Sequence, residues 1–173
     1  MATDLTLAGL TRQAIKRRGK YKIASFPEAA TQTFVVGDFV GIDSDGRVAI
    51  AVAAGSGLDS TGVNVIGRAR QAASGTTDTM IECEVATEET EYALPTYHAT
   101  PASAVTAQTN KDILCVLHNE TTGGWMADIG TTSNGILNVK EPALTYDGRP
   151  LVVGGAYNPH WVKIISAGRY DQS

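Results

Sequence analysis

The sequence predicts an all-β protein, in which a small antiparallel β-barrel or sandwich module is followed by further β-strands and preceded by a basic N-terminal arm. Short segments with alternating apolar residues follow one another from Phe34 onward. Glycine occurs 18 times and aromatic residues make up 6% of the chain, which favours many short strands joined by tight turns. Residues 1–22 carry six basic residues and one acidic residue, a net charge of +5, whereas the rest of the chain has a net charge of −9. This asymmetry indicates a protein that attaches to another surface.

The basic N-terminal arm is predicted to cover residues 1–27. Apolar residues spaced three, four and one positions apart within residues 5–18 would line one face of a short helix. A helix of this length is marginal alone in water, so the arm, whether helical or extended, needs a surface to bind. We expect it to contact its partner through nine residues: Leu7, Leu10, Arg12, Ile15, Lys16, Arg17, Arg18, Lys20 and Lys22.

The barrel or sandwich module is predicted over residues 28–95. Phe34–Ile42 and Arg47–Val52 form a hairpin in this prediction, because Asp43–Gly46 between them has the aspartates and glycine of a tight turn. Two more strands are expected at Val63–Ala69 and Met80–Val85. Strict alternation in the last strand divides its side chains between core and solvent. We expect Ile81, Cys83 and Val85 in the core, and Glu82 and Glu84 in solvent.

A second β region is predicted over residues 96–173, and the pattern leaves open whether it packs on the first module. Residues 87–110 are mostly polar or small, with Pro101 among them, and predict a boundary or a long surface crossing. Strands are expected at residues 112–117, 125–129, 136–139, 151–153 and 161–165.

The residue types that carry chemistry do not form a recognisable site. Cys83 and Cys115 are expected as reduced, buried thiols, although a disulfide between them stays open. Cys115 and His118 would point to opposite faces of one strand, which argues against a nucleophile–base pair. The cysteines and the three histidines lack the spacing of zinc ligands. We therefore predict a protein that is not an enzyme and has no catalytic residue, metal or cofactor.

Two acidic segments have carboxylates that could bind a cation. Asp43–Gly46 resembles the start of a calcium loop, but the later ligands are absent, so a hairpin turn is the better interpretation. Glu88, Glu89 and Glu91 could hold a cation, although a solvated acidic loop is favoured.

The order of several short motifs resembles that of one protein family. The motifs are Gly37–Ile42, Arg47–Ala49, Val65–Ala69, Ala72–Thr76 and Ile81–Val85. In this order they are similar to the small β-barrel module of tailed-bacteriophage capsid decoration (cement) proteins, over residues 34–86. The resemblance implies a structural virion protein, made in the host cytoplasm and located on the capsid exterior. It implies a homotrimer that binds the major capsid protein and clamps neighbouring capsomers of an assembled head.

Other functions remain open at this stage. The chain could be a head-fibre base or a tail or baseplate β protein. The aromatic residues Tyr146, Tyr157, Trp161 and Tyr170 could instead form a carbohydrate-binding platform. The basic stretch could contact nucleic-acid phosphates or be merely solvated, but a protein partner is favoured because only Tyr21 could stack on a base. The sequence has no signal-peptide pattern and no apolar run long enough for a membrane span, so no membrane contact is expected.

Overall fold

A computed structural model describes residues 15–51, 64–120, 124–132, 135–146, 149–151 and 153–165. These residues form β-strands and two single-turn 3₁₀-helices, Pro101–Ser103 and Gln108–Asn110, so the all-β prediction is confirmed. Among the described residues, no helix is long and apolar enough to cross a membrane. In chain order the strands are β1 (Arg17–Arg18), β2 (Tyr21–Pro27), β3 (Phe39–Ile42), β4 (Val48–Ile50), β5 (Asn64–Ala69), β6 (Met80–Ala86), β7 (Glu91–Tyr97), β8 (Leu114–Glu120), β9 (Gly124–Asp128), β10 (Leu137–Pro142), β11 (Thr145–Tyr146), β12 (Arg149–Pro150) and β13 (Pro159–Ile164).

The first sheet contains five antiparallel strands in the order β2-β6-β5-β3-β4. The predicted hairpin is confirmed, because β3 pairs with β4 and Asp43 Oδ1 accepts the backbone N–H groups of Asp45 and Arg47 in the turn. At the far edge, Glu28 follows β2 directly and forms a parallel bridge with Val48 of β4. The sheet therefore curls until its two edges touch at one point.

The second sheet has the order β1-β7-β13-β10-β8-β9, and β9 also pairs in parallel with the end of β7. Strands β7, β13, β10, β8 and β9 thus close into a five-stranded barrel. Strand β1 covers the first half of the β7 edge, and β9 covers the second half. The closed barrel is consequently formed by residues 91–164, and the first sheet, on which the resemblance rests, is closed by a single bridge.

The structure overturns the prediction that residues 87–110 are a surface crossing. Strand β7 lies within this segment and has five consecutive buried residues at its centre. The boundary that was drawn at residue 95 falls inside this strand. The segment shows no alternation because its central residues are all buried, and Pro95 made a strand harder to recognise. Pro95 lies opposite Pro159 of β13, and Pro159 directs its carbonyl to the Ala143 N–H, just beyond the other neighbouring strand β10, so the Pro95–Pro159 pair needs no hydrogen bond between β7 and β13. A second correction concerns residues 151–153, where Leu151 follows the two-residue strand β12 instead of starting a strand.

One hydrophobic cluster joins the two sheets, and the first sheet has a second cluster of its own. Phe39 of the first sheet packs edge-on against Tyr92 and Trp125 of the barrel, with ring centroids 5.1 and 5.6 Å apart. The indole Nε1 of Trp125 donates a hydrogen bond to the buried Asp38 carboxylate at 2.9 Å. Ala51, Val65 and Ala86 join the same cluster from the first sheet. The described residues of the two halves therefore pack on each other, which the sequence had left open.

The predicted alternation of β6 is confirmed at its three core positions, is met in part by Glu82, which is half-buried, and is wrong at Glu84. Ile81, Cys83 and Val85 are buried as expected. Glu84 was expected in solvent but is 7% exposed, because it faces the junction with the barrel and not open water. Cys83 and Cys115 are both buried and are not joined to each other, and burial raises the pKa of each thiol to about 12.

Candidate partner-binding surface

Residues 15–27, the described half of the predicted arm, run from one sheet to the other. Ile15 is buried in the shared core, and β1 then pairs with β7 of the second sheet. The chain turns at Gly19, whose φ of +81° and closeness to Glu89 leave no room for a Cβ. It continues as β2, which pairs with β6 over seven residues. This half of the arm is therefore built into the body of the protein.

The predicted arm residues lie in different environments. Leu7, Leu10 and Arg12 lie outside the described residues. Of the two forms left open for the arm, helical or extended, Arg17 and Arg18 have the extended one, because their backbones complete the edge of β7 as strand β1. Ile15 is 6% exposed and faces the core, so its side chain is not presented on the surface.

Arg17 belongs to a polar network between the sheets. Its guanidinium forms an ion pair with Glu84 and lies over the ring of Tyr21, 3.5 Å from the centroid. The other carboxylate oxygen of Glu84 accepts the hydroxyl of Tyr92 at 3.1 Å. Burial, together with the Glu84 charge, raises the pKa of Tyr92 well above its usual value. Burial also lowers the pKa of Arg68, which donates to the Gly37 carbonyl at 2.9 Å.

Arg18, like Arg17, is paired with acidic residues of the same chain. It donates to Glu91 at 2.6 Å and to Glu141 at 2.7 Å, and its guanidinium lies 4.4 Å from the centroid of the Trp161 ring. Burial opposes its charge, but the hydrogen bonds to Glu141 and Glu91 raise its pKa. Because Arg18 covers Trp161, one face of this aromatic candidate for a carbohydrate platform is occupied.

The lysines are placed differently from the arginines. Lys20 has 82% of its side chain exposed, and its Nζ lies 3.5 Å from a Glu89 oxygen at the surface. Lys22 is also exposed, and Lys16 is half-buried. The segment borders a shallow depression of about 340 Å³ lined by Lys20, Tyr21, Lys22, Thr87, Glu88 and Glu89. Lys20 and Lys22, at the start of β2, are thus two exposed cationic residues of this segment.

Apolar side chains are exposed along the same strand. Ile23 is 51% exposed and Tyr21 is 38% exposed, while Met80 on β6, opposite Pro27, is 57% exposed. β2 is an edge strand of its sheet, since among the described strands it pairs with β6 alone. The sequence pattern does not show that this strand is an edge, because pairing partners lie far away along the chain.

The predicted absence of catalytic and metal sites stays a prediction. Within the described ranges, no three residues of the His, Cys, Asp or Glu type are placed to hold a metal ion together. His118 stacks on Tyr97 with ring centroids 3.8 Å apart, while the nearby Cys115 faces the core.

No protein-family profile, curated protein or solved structure matches this chain. The surface formed by Lys20, Tyr21, Lys22, Ile23 and the edge of β2, which we call the β2 surface, is therefore interpreted from its own chemistry.

Proposed function

We propose that this protein is a structural virion protein that binds the outer surface of an assembled phage head and stabilises it by clamping neighbouring capsomers. The partner in this proposal is the major capsid protein, and the working form is a homotrimer on the capsid exterior. The observation that carries the proposal is the β2 surface, where exposed lysines and exposed apolar side chains lie together on a strand whose outer edge pairs with no other described strand. Surfaces of this kind are typical of protein-docking sites.

The rigid attachment of the β2 surface also supports this function. Residues 15–27 are tied to both sheets by strand pairing and by the ion pairs of Arg17 and Arg18. A docking surface held by such a framework binds without the ordering cost that a flexible tether pays. Repetition of the same weak contact in each copy of a trimer would raise the effective affinity for a repeating lattice.

The test uses heads assembled from the parent genome after deletion of this gene. Purified full chain is added, and bound protein is measured by cosedimentation and located by cryo-electron microscopy. We expect saturable binding at symmetry-related sites on the head, and greater resistance of the decorated heads to heat. Label found on the tail would instead favour the tail or baseplate alternative, and absence of binding to any particle would overturn a virion role. Light scattering of the free chain tests the trimer.

A further inference from the structure

We propose that residues 104–107 form a cap over one end of the barrel and that mildly acidic pH opens this cap, because the buried imidazole of His160 holds it in place. The opening is local, and the strands of the barrel stay paired. This inference concerns the barrel alone and does not rest on the proposed function.

His160 lies inside the barrel, at one end of it. It is the second residue of β13 and alternates with Val162 and Ile164, which belong to the core. Its neighbours in the ladder are Leu94, near the end of β7, and Pro142, at the end of β10. The His160 side chain is nevertheless fully buried, so this end of the barrel is covered.

Residues 104–107, which we call the end cap, provide this cover. They run beside residues 154–157, which lead into β13. The attachments are a bridge between Val105 and Ala156 and backbone hydrogen bonds that Tyr157 donates to Ala104, Thr106 to Gly155 and Gly154 to Thr106. Two side chains of the end cap, those of Ala104 and Thr106, are fully buried. The end cap is thus held mainly through its backbone, and the side chains that it buries are small.

The His160 ring joins the end cap to the barrel wall through both of its nitrogens. Thr96 Oγ1 donates to the Asn158 carbonyl at 2.6 Å, so it accepts the Nδ1–H of His160 at 3.0 Å. Nε2 then carries no proton and accepts the Ala107 N–H at 3.3 Å. A neutral imidazole in this one tautomer satisfies all of these groups.

A proton on Nε2 changes this arrangement. The Ala107 N–H loses its acceptor, and the new Nε2–H can bond only the Ala107 carbonyl, which is also 3.3 Å away. The larger cost is the positive charge itself, since the ring has no access to water. Burial accordingly lowers the pKa of His160, although the hydrogen bond to Ala107 opposes this shift.

The described groups around the ring include no carboxylate that compensates this charge. Tyr92 on β7, Cys115 on β8 and Tyr157 beside the end cap are neutral between pH 5 and pH 7, and burial raises the pKa of the first two further. The other titratable residues of the surrounding elements have partners of their own: Glu91, Glu141 and Lys163 in surface ion pairs, Asp112 with Lys140, Asp128 with Gly130 and Thr131, His98 with the Thr100 N–H, and Tyr97 with His118. The end cap itself has no titratable side chain. Water is therefore the group that can stabilise the imidazolium.

The end cap is the element that admits this water at the lowest cost. Strand β13 pairs with β7 on one side and β10 on the other, whereas the end cap is joined to residues 154–157 by a single bridge. Because its buried side chains are small, its opening exposes little apolar surface.

The direction of the pH effect follows from the position of the ring in the two states. Closure holds the pKa of His160 below its ordinary value of 6.5, and opening returns it toward that value. The closed state is therefore fully stabilised above about pH 6.5 and loses stability as the pH falls below it.

Amide hydrogen exchange of the full chain at pH 7 and pH 5, followed by NMR and corrected for the intrinsic effect of pH, tests the opening. At pH 5, about 1.5 pH units below the ordinary pKa, protection should be about threefold to thirtyfold lower for the amides that donate at the end cap, which are those of Thr106, Ala107, Gly154 and Tyr157. The amides of Ala93 and Val139, which donate elsewhere in the barrel, should keep their protection. An equal loss in both sets would show that the whole barrel loosens and would overturn the proposal. A change of less than about threefold at the end cap would overturn it as well.

The variant His160→Gln removes the titrating group and keeps a side chain that can donate and accept. We expect the pH dependence of end-cap protection to disappear in this variant. It should persist in the matched control His98→Gln, because His98 lies in the same connection between β7 and β8 but is half-buried and accepts the Thr100 N–H. A pH dependence that survives in His160→Gln, or that disappears in His98→Gln, would overturn the assignment to His160.

A measurement on the unmodified chain applies even if His160→Gln does not fold. NMR of the imidazole nitrogens should place the proton of His160 on Nδ1 at pH 7 and show protonation of Nε2 only below the ordinary pKa of about 6.5, together with shifts of the end-cap amides. A proton on Nε2 at pH 7, or an ordinary pKa with an unchanged end cap, would overturn the proposal.

Discussion

The two sheets of this protein end their hydrogen-bond ladders in different ways. In the barrel, the parallel pairing of β7 with β9 joins the last two strands, and β1 covers the rest of the β7 edge. In the first sheet, only the bridge between Glu28 and Val48 joins the two ends, and the outer side of β2 stays unpaired among the described residues. The barrel thus has the character of a scaffold, whereas the first sheet presents an edge to which a partner can add.

The difference extends to how each closure is held. The barrel is filled by apolar and aromatic side chains that include Tyr92, Leu94 and Trp125. The first sheet also encloses an apolar cluster, but at its bridge lies a charged group, the fully buried Glu28 carboxylate. This carboxylate accepts hydrogen bonds from Ser74 N at 2.9 Å, Ser74 Oγ at 2.6 Å and Gly75 N at 2.8 Å. Variants that disturb one of these two closures and not the other therefore test the difference between the two sheets.

The largest effect is expected from Phe39→Ala, which would show whether the two sheets form one cooperative unit. Phe39 is fully buried between Tyr92 and Trp125, so its loss should reduce the free energy of unfolding by about 3–5 kcal/mol. Urea unfolding should be monitored by tryptophan fluorescence, which reports on the barrel, and by amide exchange in the first sheet. We expect both probes to shift together.

The control for this experiment is Ile23→Ala, whose side chain is 51% exposed and should change stability by less than about 0.5 kcal/mol. Separate transitions of the two sheets in Phe39→Ala would contradict the shared core.

The next effect concerns the bridge alone, and the variant is Glu28→Gln. Burial alone would raise the pKa of Glu28, but the hydrogen bonds from Ser74 and Gly75 outweigh it, and the net pKa is lowered. Loss of the charge-assisted bonds should cost about 2–3 kcal/mol and speed amide exchange around Val48 more than in the barrel. Uniform acceleration in both sheets would show that the bridge is not a local closure.

The same carboxylate predicts a pH dependence with a defined sign. Because its pKa is lower in the folded state, Glu28 stabilises the fold fully above its unfolded pKa of about 4.3. This contribution is lost as the pH falls through the folded pKa. Thermal unfolding of the unmodified chain and of Glu28→Gln should therefore converge toward acid pH, and a constant difference between them would contradict the assignment.

Individual strands of the first sheet could be predicted from the sequence, but the contrast between the two sheets could not, because it depends on distant contacts. The hairpin of β3 and β4 and the strand β6 have clear alternation and turn residues, so local chemistry is sufficient for them. The closure of the barrel was missed because β7 and β9 are separated by more than twenty residues and pair in parallel.

The candidate surface was predicted only in part, again because its contacts join residues that are far apart in the sequence. Its lysines were identified from charge alone, but Arg17 and Arg18 were assigned to a partner although their glutamates lie 67 and 73 positions away in the same chain. The net negative charge of residues 23–173 indicated that acidic partners exist within the chain. It did not indicate where they lie.

A smaller effect is expected in the barrel from His160, which is fully buried. Thr96 Oγ1 donates to the Asn158 carbonyl, so Nδ1–H of a neutral His160 donates to Thr96 Oγ1 at 3.0 Å and Nε2 accepts the Ala107 N–H at 3.3 Å. Burial lowers the pKa of His160. Stability is therefore complete above the unfolded pKa of about 6.5 and declines below it, by at most about 2 kcal/mol at pH 5.

Urea unfolding at pH 7 and pH 5 measures this loss, and His160→Gln should reduce the difference between the two pH values. His98→Gln is the matched control because His98 is only half-buried, at the barrel surface. An equal reduction in both variants would assign the pH dependence to surface histidines and not to the barrel interior.

The smallest effect on stability is expected at the β2 surface itself. Lys20 is 82% exposed and its ion pair with Glu89 spans 3.5 Å, so Lys20→Ala should change the free energy of unfolding by less than about 0.5 kcal/mol. If this charge serves a partner and not the fold, the same variant should weaken head binding, most clearly at low salt, because screening already removes part of the attraction at higher ionic strength. Lys163→Ala is a matched control, since this lysine donates to the Glu88 carbonyl at 2.8 Å on the barrel side. Binding that depends on Lys163 but not on Lys20 would move the docking surface from the open sheet to the barrel and reverse the comparison between them.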